Sequence, residues 1–254
     1  MRILPRAERE AMFEIYSFCR AVDDIADDPG PRDARRAQLQ HWRADIDALY
    51  AGAPQPGLVG LAQAVHRFDL NRDDFIAVID GMEMDVVADI RAPDLPTLAL
   101  YCDRVACAVG RLSVRVFGME RSAGLALADH LGRALQLTNI LRDLDEDAAL
   151  GRLYLPREAL RDAGIISTDP AVVLANPMLD TACGAIVALA RAHFAQADAI
   201  MARATRRVVR APRIMGQAYR LILNKLTARG FAPPRAPVRL PKSRLILIVL
   251  RNLV

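Results

Sequence analysis

The sequence predicts an all-α fold, and three observations support this prediction. Apolar residues recur at helical spacing through long segments. No segment shows the sustained alternation of apolar and polar residues that is typical of strands. Proline and glycine clusters separate the helical segments from one another. With 254 residues, 53% of them hydrophobic, the chain is long enough to bury one large core. We therefore expect residues 1–254 to form a single domain.

Breaker residues define the helices in chain order. The predicted helices are about Ala7–Asp28, Asp33–Tyr50, Asp73–Asp89, Leu95–Phe117, Ser122–Leu150, Leu179–Thr205 and Pro212–Arg229. The predicted loops and turns are Pro29–Pro31, Ala51–Gly60, the segment around Pro93 and Pro96, Ser167–Pro177 and the proline-rich connector Pro233–Pro241. A short helix is expected after this connector. Its apolar run, Leu245–Leu250, could touch a membrane surface but is too short to cross one.

Charge and cysteine content exclude several classes of protein. The chain has 34 basic and 30 acidic side chains, and a surplus of +4 does not indicate a nucleic-acid partner. The four cysteines, Cys19, Cys102, Cys107 and Cys183, lack the spacing of zinc ligands. We expect them to be reduced and mostly buried, as in a cytoplasmic protein. The N-terminus is charged at once and does not resemble a signal peptide.

The first predicted helix ends in a run of aspartates. Its core face is predicted to contain Ala11, Ile15, Phe18, Val22 and Ile25. A second stripe, at similar spacing, contains Tyr16, Arg20, Asp23 and Asp27. Carboxylates four residues apart repel each other by about 0.2–0.5 kcal/mol per pair. They also lie at the negative end of the helix dipole, which costs roughly 0.3–1 kcal/mol each.

The central predicted helix has a similar acidic end. Its polar stripe contains Gln136, Asn139, Asp143 and Asp147. The residues around the stripe are apolar, namely Leu131, Leu135, Leu137, Ile140, Leu141 and Leu144. A polar stripe in so apolar a helix is expected to face an internal cavity. The acidic run lies just before Gly151, so this end too is predicted to be electrostatically unfavourable.

Two such ends together favour a cation site. A solvated helix end is the ordinary explanation of a single acidic run, but a matched pair, each in line with hydrogen-bonding residues, favours Mg²⁺. Carboxylate oxygen is the preferred ligand of this ion, which usually keeps waters and shares its shell with substrate phosphates. We therefore predict that Asp23, Asp27, Asp143 and Asp147 bind Mg²⁺ with a diphosphate between them. Arg20 and Arg142 could neutralise the remaining phosphate charge.

At these residues the sequence resembles the squalene/phytoene synthase family, the head-to-head trans-prenyltransferases. The similar stretches are Ala11–Asp27 (AMFEIYSFCRAVDDIAD), Tyr101–Gly110 (YCDRVACAVG), Gln136–Asp147 (QLTNILRDLDED), Gly151–Pro156 (GRLYLP) and, more loosely, Tyr219–Phe231. The resemblance implies an isoprenoid-synthase-type helical bundle around a central apolar cavity. It also implies prenyl diphosphate substrates and Mg²⁺ bound by the two DxxxD motifs.

The resemblance assigns roles by position. It implies that Arg20, Gln136, Asn139 and Arg142 contact or orient diphosphate, and that Tyr101 lies close to the reacting carbons. Tyr16 is a weaker candidate for substrate binding. Glu83 and Asp85 match another family pattern, and the choice between a site role and a surface role stays open for them.

The resemblance also implies a reaction. The segments DLDEDAALGRLYLP and YCDRVACAVGRLSVRVFG are most similar to bacterial members of hopanoid pathways, which join two farnesyl diphosphates into presqualene diphosphate and need no NADPH. Phytoene synthesis from geranylgeranyl diphosphate and squalene synthesis are the alternatives. Lipid-like substrates make contact with the inner membrane face plausible for a cytoplasmic enzyme. Relatives usually have a further N-terminal helix before the stretch that resembles Met1–Pro5.

Two other classes stay open. A non-catalytic helical scaffold would have incidental acidic ends and no response to Mg²⁺. A terpene cyclase or a head-to-tail chain elongator would share the chemistry of diphosphate departure. Elongators usually contain DDxxD motifs, whereas the spacing of Asp23 and Asp27, and of Asp143 and Asp147, favours head-to-head condensation.

Overall fold

The computed structural model describes residues 4–87 and 90–253. Within these ranges the protein is helical and forms no β-strand, which confirms the all-α prediction. An isolated bridge pairs Arg91 with Leu153. The helices are α1 Arg6–Asp27, α2 Arg32–Tyr50, α3 Val59–Phe68, α4 Arg72–Val87, α5 Leu95–Cys102, α6 Ala108–Val116, α7 Arg121–Arg142, α8 Leu144–Ala149, α9 Arg157–Asp162, α10 Pro170–Leu174, α11 Leu179–Arg203, α12 Arg206–Arg229 and α13 Lys242–Leu253.

The chain divides into two compact units. The described part of unit 1 comprises residues 4–87 and 103–132, and that of unit 2 comprises residues 90–102 and 133–253. Helix α7 belongs to unit 1 up to Gly132 and to unit 2 from Arg133 onward. The prediction that residues 1–254 form a single domain stays a prediction.

Unit 1 is built around α1 and α4. Helix α4 contacts α1, α2 and α6, and α1 also contacts α2, α3 and α6. The buried face of α1 is the predicted one, except that Ala26 is buried and Ile25 is half-buried. The ring of Phe18 meets those of Trp42 and Phe75 edge to face, with centroids 5.5 and 5.1 Å apart. Such edge-to-face pairs add to the stability that burial provides, and they anchor the helix that ends in the first aspartate motif.

Unit 2 is built around α11, which contacts α9 and α12. The buried side chains of α11 follow helical spacing and are Leu179, Ala182, Cys183, Ile186, Val187, Ala190, Phe194, Ala197 and Met201. Helix α12 contacts α13, and the short helices α8 and α10 contact each other. The segment with the second aspartate motif is therefore supported by α10.

Several predicted boundaries were wrong. Helix α3 lies partly in the predicted loop Ala51–Gly60 and was not predicted, and the short helices α9 and α10 were also missed. Helix α12 begins at Arg206 and includes Pro212, which is buried between Val209 and Gly216. A proline removes one backbone hydrogen bond, and burial of this face offsets that loss. Asp89, the predicted end of α4, lies outside the described residues, as do the first three of the residues Met1–Pro5.

The cysteines agree with the prediction. None of the four forms a disulfide, and Cys102, Cys107 and Cys183 are buried while Cys19 is half-buried. Burial raises the pKa of the Cys183 thiol to about 12, so this thiol is protonated and unreactive at neutral pH. In the described ranges, none of the helices has the length and apolar character needed to cross a membrane.

Candidate active site

The first aspartate motif lies at the C-terminal end of α1, as predicted. Helix α1 ends at Asp27, and its last turn contains no basic residue. Asp23 is half-buried and Asp27 is exposed. Arg35 of α2 donates a hydrogen bond of 2.9 Å to the carbonyl oxygen of Ala26. This cation partly offsets the negative helix end, and the sequence patterns did not reveal it.

The polar stripe of α1 continues outward from the motif. Tyr16 is 62% exposed, and Arg20 is exposed and forms a 3.0 Å ion pair with Asp24. Burial, together with the nearby charge of Asp23, raises the pKa of the Cys19 thiol to about 12. The polar stripe of α1 therefore lies away from the buried face of the helix and is accessible to a ligand. Its residues are Tyr16, Arg20, Asp23 and Asp27.

The second aspartate motif differs from the prediction. The helix is interrupted at Asp143, which is the N-cap residue of α8. Asp147 therefore lies in the first turn of α8, at the end where the helix dipole favours anions. The prediction that Asp147 lies at the electrostatically unfavourable end of a helix is therefore wrong. Backbone hydrogen bonds of 2.8 Å, from Asp143 N to Asn139 O and from Asp147 N to Asp143 O, continue through the interruption. The two carboxylates thus remain one helical turn apart.

Arg142 and Asp143 form a bidentate pair. The guanidinium Nε and Nη2 atoms donate hydrogen bonds of 2.6 Å to the two carboxylate oxygens of Asp143. Asp143 raises the pKa of Arg142, chiefly through this hydrogen bonding, and the side chain of Tyr219 raises it further. The predicted diphosphate contact and the predicted cation ligand are therefore paired with each other.

Gln136 and Asn139 form the inner part of the stripe. The side-chain nitrogen of Asn139 donates a 3.3 Å hydrogen bond to the side-chain oxygen of Gln136. The Oδ1 atom of Asn139 is buried and accepts no hydrogen bond from the described residues. A buried carbonyl oxygen without a partner is costly unless a donor or a cation satisfies it. This oxygen is therefore suited to a ligand.

Asp145, between the two motif aspartates, is bound by Arg235 of the proline-rich connector. Arg235 donates to both carboxylate oxygens, with distances of 2.9 and 2.5 Å. Its Nη1 atom donates to the carbonyl oxygens of Leu174 and Phe231, at 3.1 and 2.9 Å. The sequence prediction missed Arg235, because a separation of 90 positions from Asp145 leaves no local pattern.

Tyr101 is buried and stacks on Tyr154 of the GRLYLP segment, with ring centroids 4.8 Å apart. The segment before α5 holds this arrangement through backbone hydrogen bonds. Ala92 N donates to Leu153 O at 2.9 Å, and Leu153 N donates to Ile90 O at 2.7 Å. The GRLYLP motif therefore positions the predicted catalytic tyrosine, a role that only the tertiary structure reveals.

A π-helical turn, Asp103–Cys107, follows Tyr101 in the chain. Such turns are rare and are often found at functional sites. Glycines allow close approach to this turn from two sides. A Cβ on Gly81 would lie 2.6 Å from Val105, and a Cβ on Gly132 would lie 2.8 Å from the Cys107 backbone. The Sγ atom of Cys107 contacts the carbonyl oxygen of Asp129 at 3.3 Å.

Glu83 and Asp85, the two acidic residues whose role the sequence left open, both lie in unit 1. Glu83 accepts a 2.7 Å hydrogen bond from Arg43, which also binds Asp80. Asp85 is buried. The Glu83 side chain is 28% exposed, and its ion pair with Arg43 links α2 to α4 within unit 1.

Comparison with known proteins decides the family. The profile of squalene/phytoene synthases matches residues 1–244. The chain belongs to the squalene/phytoene synthase family. It is 62% identical to a presqualene diphosphate synthase of Rhodopseudomonas palustris, over 99% of this chain and 90% of that protein. It is 61% identical to the presqualene diphosphate synthase of Sinorhizobium fredii, over 94% and 86% of the two chains.

Solved structures of other proteins show the same fold as this member of the squalene/phytoene synthase family. A squalene synthase from Alicyclobacillus acidocaldarius superposes with a TM-score of 0.82 and 26% identity, covering 91% of this chain and 87% of that one. A dehydrosqualene synthase superposes with a TM-score of 0.84 and 23% identity, covering 99% and 88%. These similarities confirm the predicted isoprenoid-synthase-type fold. The central apolar cavity itself stays a prediction.

Proposed function

We propose that this protein joins two farnesyl diphosphates head to head into presqualene diphosphate. The observation that supports this function best is its identity of 62%, 61% and 54% to presqualene diphosphate synthases, over 94–99% of the chain. The protein is a prenyltransferase. In the reaction, the two substrates give one cyclopropyl product that keeps a diphosphate, and diphosphate and a proton are released.

Phytoene synthesis is the second candidate, and it is less well supported. The chain is 34% identical to a 15-cis-phytoene synthase of Synechococcus elongatus, over 77% of its length. Identity to the presqualene diphosphate synthases is nearly twice as high and extends over almost the whole chain. Farnesyl diphosphate is therefore the proposed substrate. No NADPH is expected, since the reaction stops before reduction.

The donor set fits Mg²⁺. The candidate ligands Asp23, Asp27, Asp143 and Asp147 offer carboxylate oxygens, the atoms that this ion prefers. The unpartnered Oδ1 atom of Asn139 adds an oxygen close to Asp143 in the chain. We propose that the aspartates of each motif bind Mg²⁺, which would supply Lewis-acid stabilisation of the departing diphosphate.

The protein's own residues then bind, orient and shield the substrates. Arg20, Gln136 and Arg142 are the proposed diphosphate contacts, since arginine binds phosphate oxygens through a bidentate fork. Arg142 can exchange its present partner, Asp143, for phosphate when a cation neutralises that carboxylate. Tyr101 is proposed to face the reacting carbons. Exclusion of water from an apolar site would protect the allylic cation that forms as diphosphate leaves.

The proposed location of the enzyme in the cell is based on its substrates. Farnesyl diphosphate is amphiphilic, with an apolar tail and an anionic head. We propose a cytoplasmic enzyme that makes peripheral contact with the inner membrane face.

The deciding experiment is one incubation of the full chain with farnesyl diphosphate and Mg²⁺, without NADPH, read by mass spectrometry. Presqualene diphosphate and free diphosphate are the expected products. Product from geranylgeranyl diphosphate alone would replace the proposal with phytoene synthesis. No product from either substrate, with protein that is folded by circular dichroism, would favour a non-catalytic helical protein. A rate that is independent of Mg²⁺ would contradict the metal assignment alone.

A further inference from the structure

The last helix, α13, has one face on the protein and one face in solvent. Helix α13 contacts α12 through a face that includes the buried Ile248 and the half-buried Val249. Asn252 donates a 3.0 Å hydrogen bond to the side-chain oxygen of Gln217 on α12. These contacts fix the rotation of α13 about its axis. The opposite face is therefore held outward.

The outward face is apolar. Its exposed apolar side chains are Ile246, Leu247 and Leu250, with exposed fractions of 59%, 38% and 56%. At about 100° per residue, Ile246, Leu250 and Leu247 occupy one arc of the helix surface, and the exposed Ser243 lies between Leu250 and Leu247 in this arc. Single exposed apolar side chains are ordinary, whereas several on one short helix indicate a binding surface. Nothing within the described part of α12 covers this arc.

Cations border the apolar arc on both sides. Lys242 lies at one edge, and Arg244 and Arg251 lie at the other, in the same helical projection. All three are exposed, and residues 236–254 contain no aspartate or glutamate. An apolar stripe between cations is typical of helices that lie in the interface of an anionic membrane. The apolar side chains enter the acyl boundary, and the long basic side chains reach the headgroup phosphates.

The same charges disfavour a second copy of the chain. Pairing two α13 faces across a two-fold axis would place basic edges opposite one another. Like charges across an interface oppose association. An anionic lipid surface satisfies the apolar arc and both basic edges at once.

We propose that the outward face of α13, centred on Ile246 and Leu250 and bordered by Lys242 and Arg251, docks the enzyme on anionic lipid membranes. The assignment rests on the proposed function, which gives the enzyme lipid-like substrates. It deepens that function by naming the surface that makes the membrane contact. The docking step itself requires neither Mg²⁺ nor turnover.

The test is sedimentation of the full chain with vesicles, in the absence of substrate. One vesicle population contains phosphatidylcholine and phosphatidylglycerol, and the other contains phosphatidylcholine alone. We expect binding to the anionic vesicles that weakens as salt is added. The double variant Lys242→Gln/Arg251→Gln should bind about twentyfold or more weakly, since each cation contributes about fivefold. The double variant Ile246→Ser/Leu250→Ser should bind at least about tenfold more weakly.

Matched controls are available elsewhere on the surface. Arg121→Gln/Arg191→Gln makes the same change in charge at two exposed positions, and Ile166→Ser removes an apolar side chain that is 96% exposed. Both controls should bind vesicles as the parent does. Equal loss in the controls would mean that only net charge or general surface hydrophobicity matters, and would overturn the assignment of α13.

Two other outcomes would also overturn it. One is a folded parent protein that does not bind anionic vesicles. The other is loss of a dimer in Ile246→Ser/Leu250→Ser with vesicle binding unchanged, which would make α13 an interface between copies. Turnover of dissolved farnesyl diphosphate separates this proposal from the proposed function. We expect all α13 variants to keep the parent rate, and a parent that binds vesicles without turnover would contradict the reaction alone.

Discussion

Arg235 and Asp145 join the proline-rich connector to the second aspartate motif through a bidentate ion pair. The arginine side chain is only 7% exposed, and the aspartate side chain is 52% exposed. Arg235 lowers the pKa of Asp145, chiefly by hydrogen bonding. Because Arg235 also binds the last carbonyl of α10, it fixes α8 against α10 within unit 2. The motif residues Asp143 and Asp147 lie two positions before and two positions after Asp145 in the chain.

Arg235→Gln is expected to loosen α8. Loss of charged hydrogen bonds from a mostly buried side chain should lower the free energy of unfolding by about 2 kcal/mol. We also expect a higher Mg²⁺ concentration at half-maximal rate, because the motif aspartates are less well positioned. Arg235→Lys should restore part of the Mg²⁺ response, since one ammonium group reaches the carboxylate but not all the carbonyls. A purely structural role would change stability and leave the Mg²⁺ response as in the parent.

The control for this prediction is Arg72→Gln. Arg72 also binds an aspartate, Asp47, through two nitrogens, but both side chains are about half exposed. Exposed pairs contribute about 0.2–1 kcal/mol. A loss in Arg72→Gln as large as that in Arg235→Gln would contradict the argument from burial.

Removing a single negative charge from either aspartate motif is expected to stop the reaction. Asp23→Asn and Asp143→Asn should each lower the rate of product formation about a hundredfold or more, because each removes a proposed cation ligand. Helical circular dichroism should be unchanged. Glu146→Gln is the matched control, since Glu146 is exposed and lies in the same acidic run. A variant of Asp23 or Asp143 with the parent rate at limiting Mg²⁺ would show that the site is wrongly assigned.

Gly132 is expected to tolerate no side chain. In Gly132→Ala the new Cβ would lie 2.8–3.0 Å from three atoms of Cys107. Backbone must then shift, and such overpacking typically costs about 1–3 kcal/mol. Gly184→Ala in α11 is the control, because no described atom beyond its chain neighbours and the adjacent backbone of α11 lies within 4 Å of the new methyl group there. That variant should gain about 0.5–1 kcal/mol. Urea unfolding measures both, and equal effects would refute the close approach at the π-helical turn.

Asp74 is expected to make stability fall as pH rises. Burial raises its pKa, although Arg111 opposes the shift through a 2.5 Å hydrogen bond. Arg111 also binds Asp103, and Asp73 lies beside Asp74. Between the ordinary aspartate pKa of about 4 and the raised value, the folded state holds a proton that the unfolded chain has released. The free energy of unfolding therefore falls with pH in this interval, by at most about 1.4 kcal/mol per unit.

Asp74→Asn should remove that slope. Asp73→Asn, at an adjacent side chain that is 80% exposed, should retain it. Urea unfolding of the three proteins in steps upward from pH 4 measures the difference. An unchanged slope in Asp74→Asn would assign the pH dependence to another group.

The sequence was sufficient to predict the helical periodicity, the breakers between helices and the two aspartate motifs, because these are local patterns. The long helices followed from apolar spacing, and the motif residues of α1 followed from carboxylates one turn apart. The segment Gln136–Pro156 predicted the family, which the comparisons confirm. Short helices such as α9 and α10 were missed, since a segment of five or six residues has too few positions to show a period.

The interactions that position the site required the tertiary structure. The pair of Arg235 with Asp145 and the stacking of Tyr101 on Tyr154 join residues far apart in the chain. The interruption at Asp143 likewise reversed the predicted helix end for Asp147. Residue types and their spacing, which determine what a side chain can bind, are local properties of the sequence. The partner that each side chain holds is decided by packing between distant segments, and no local pattern contains it.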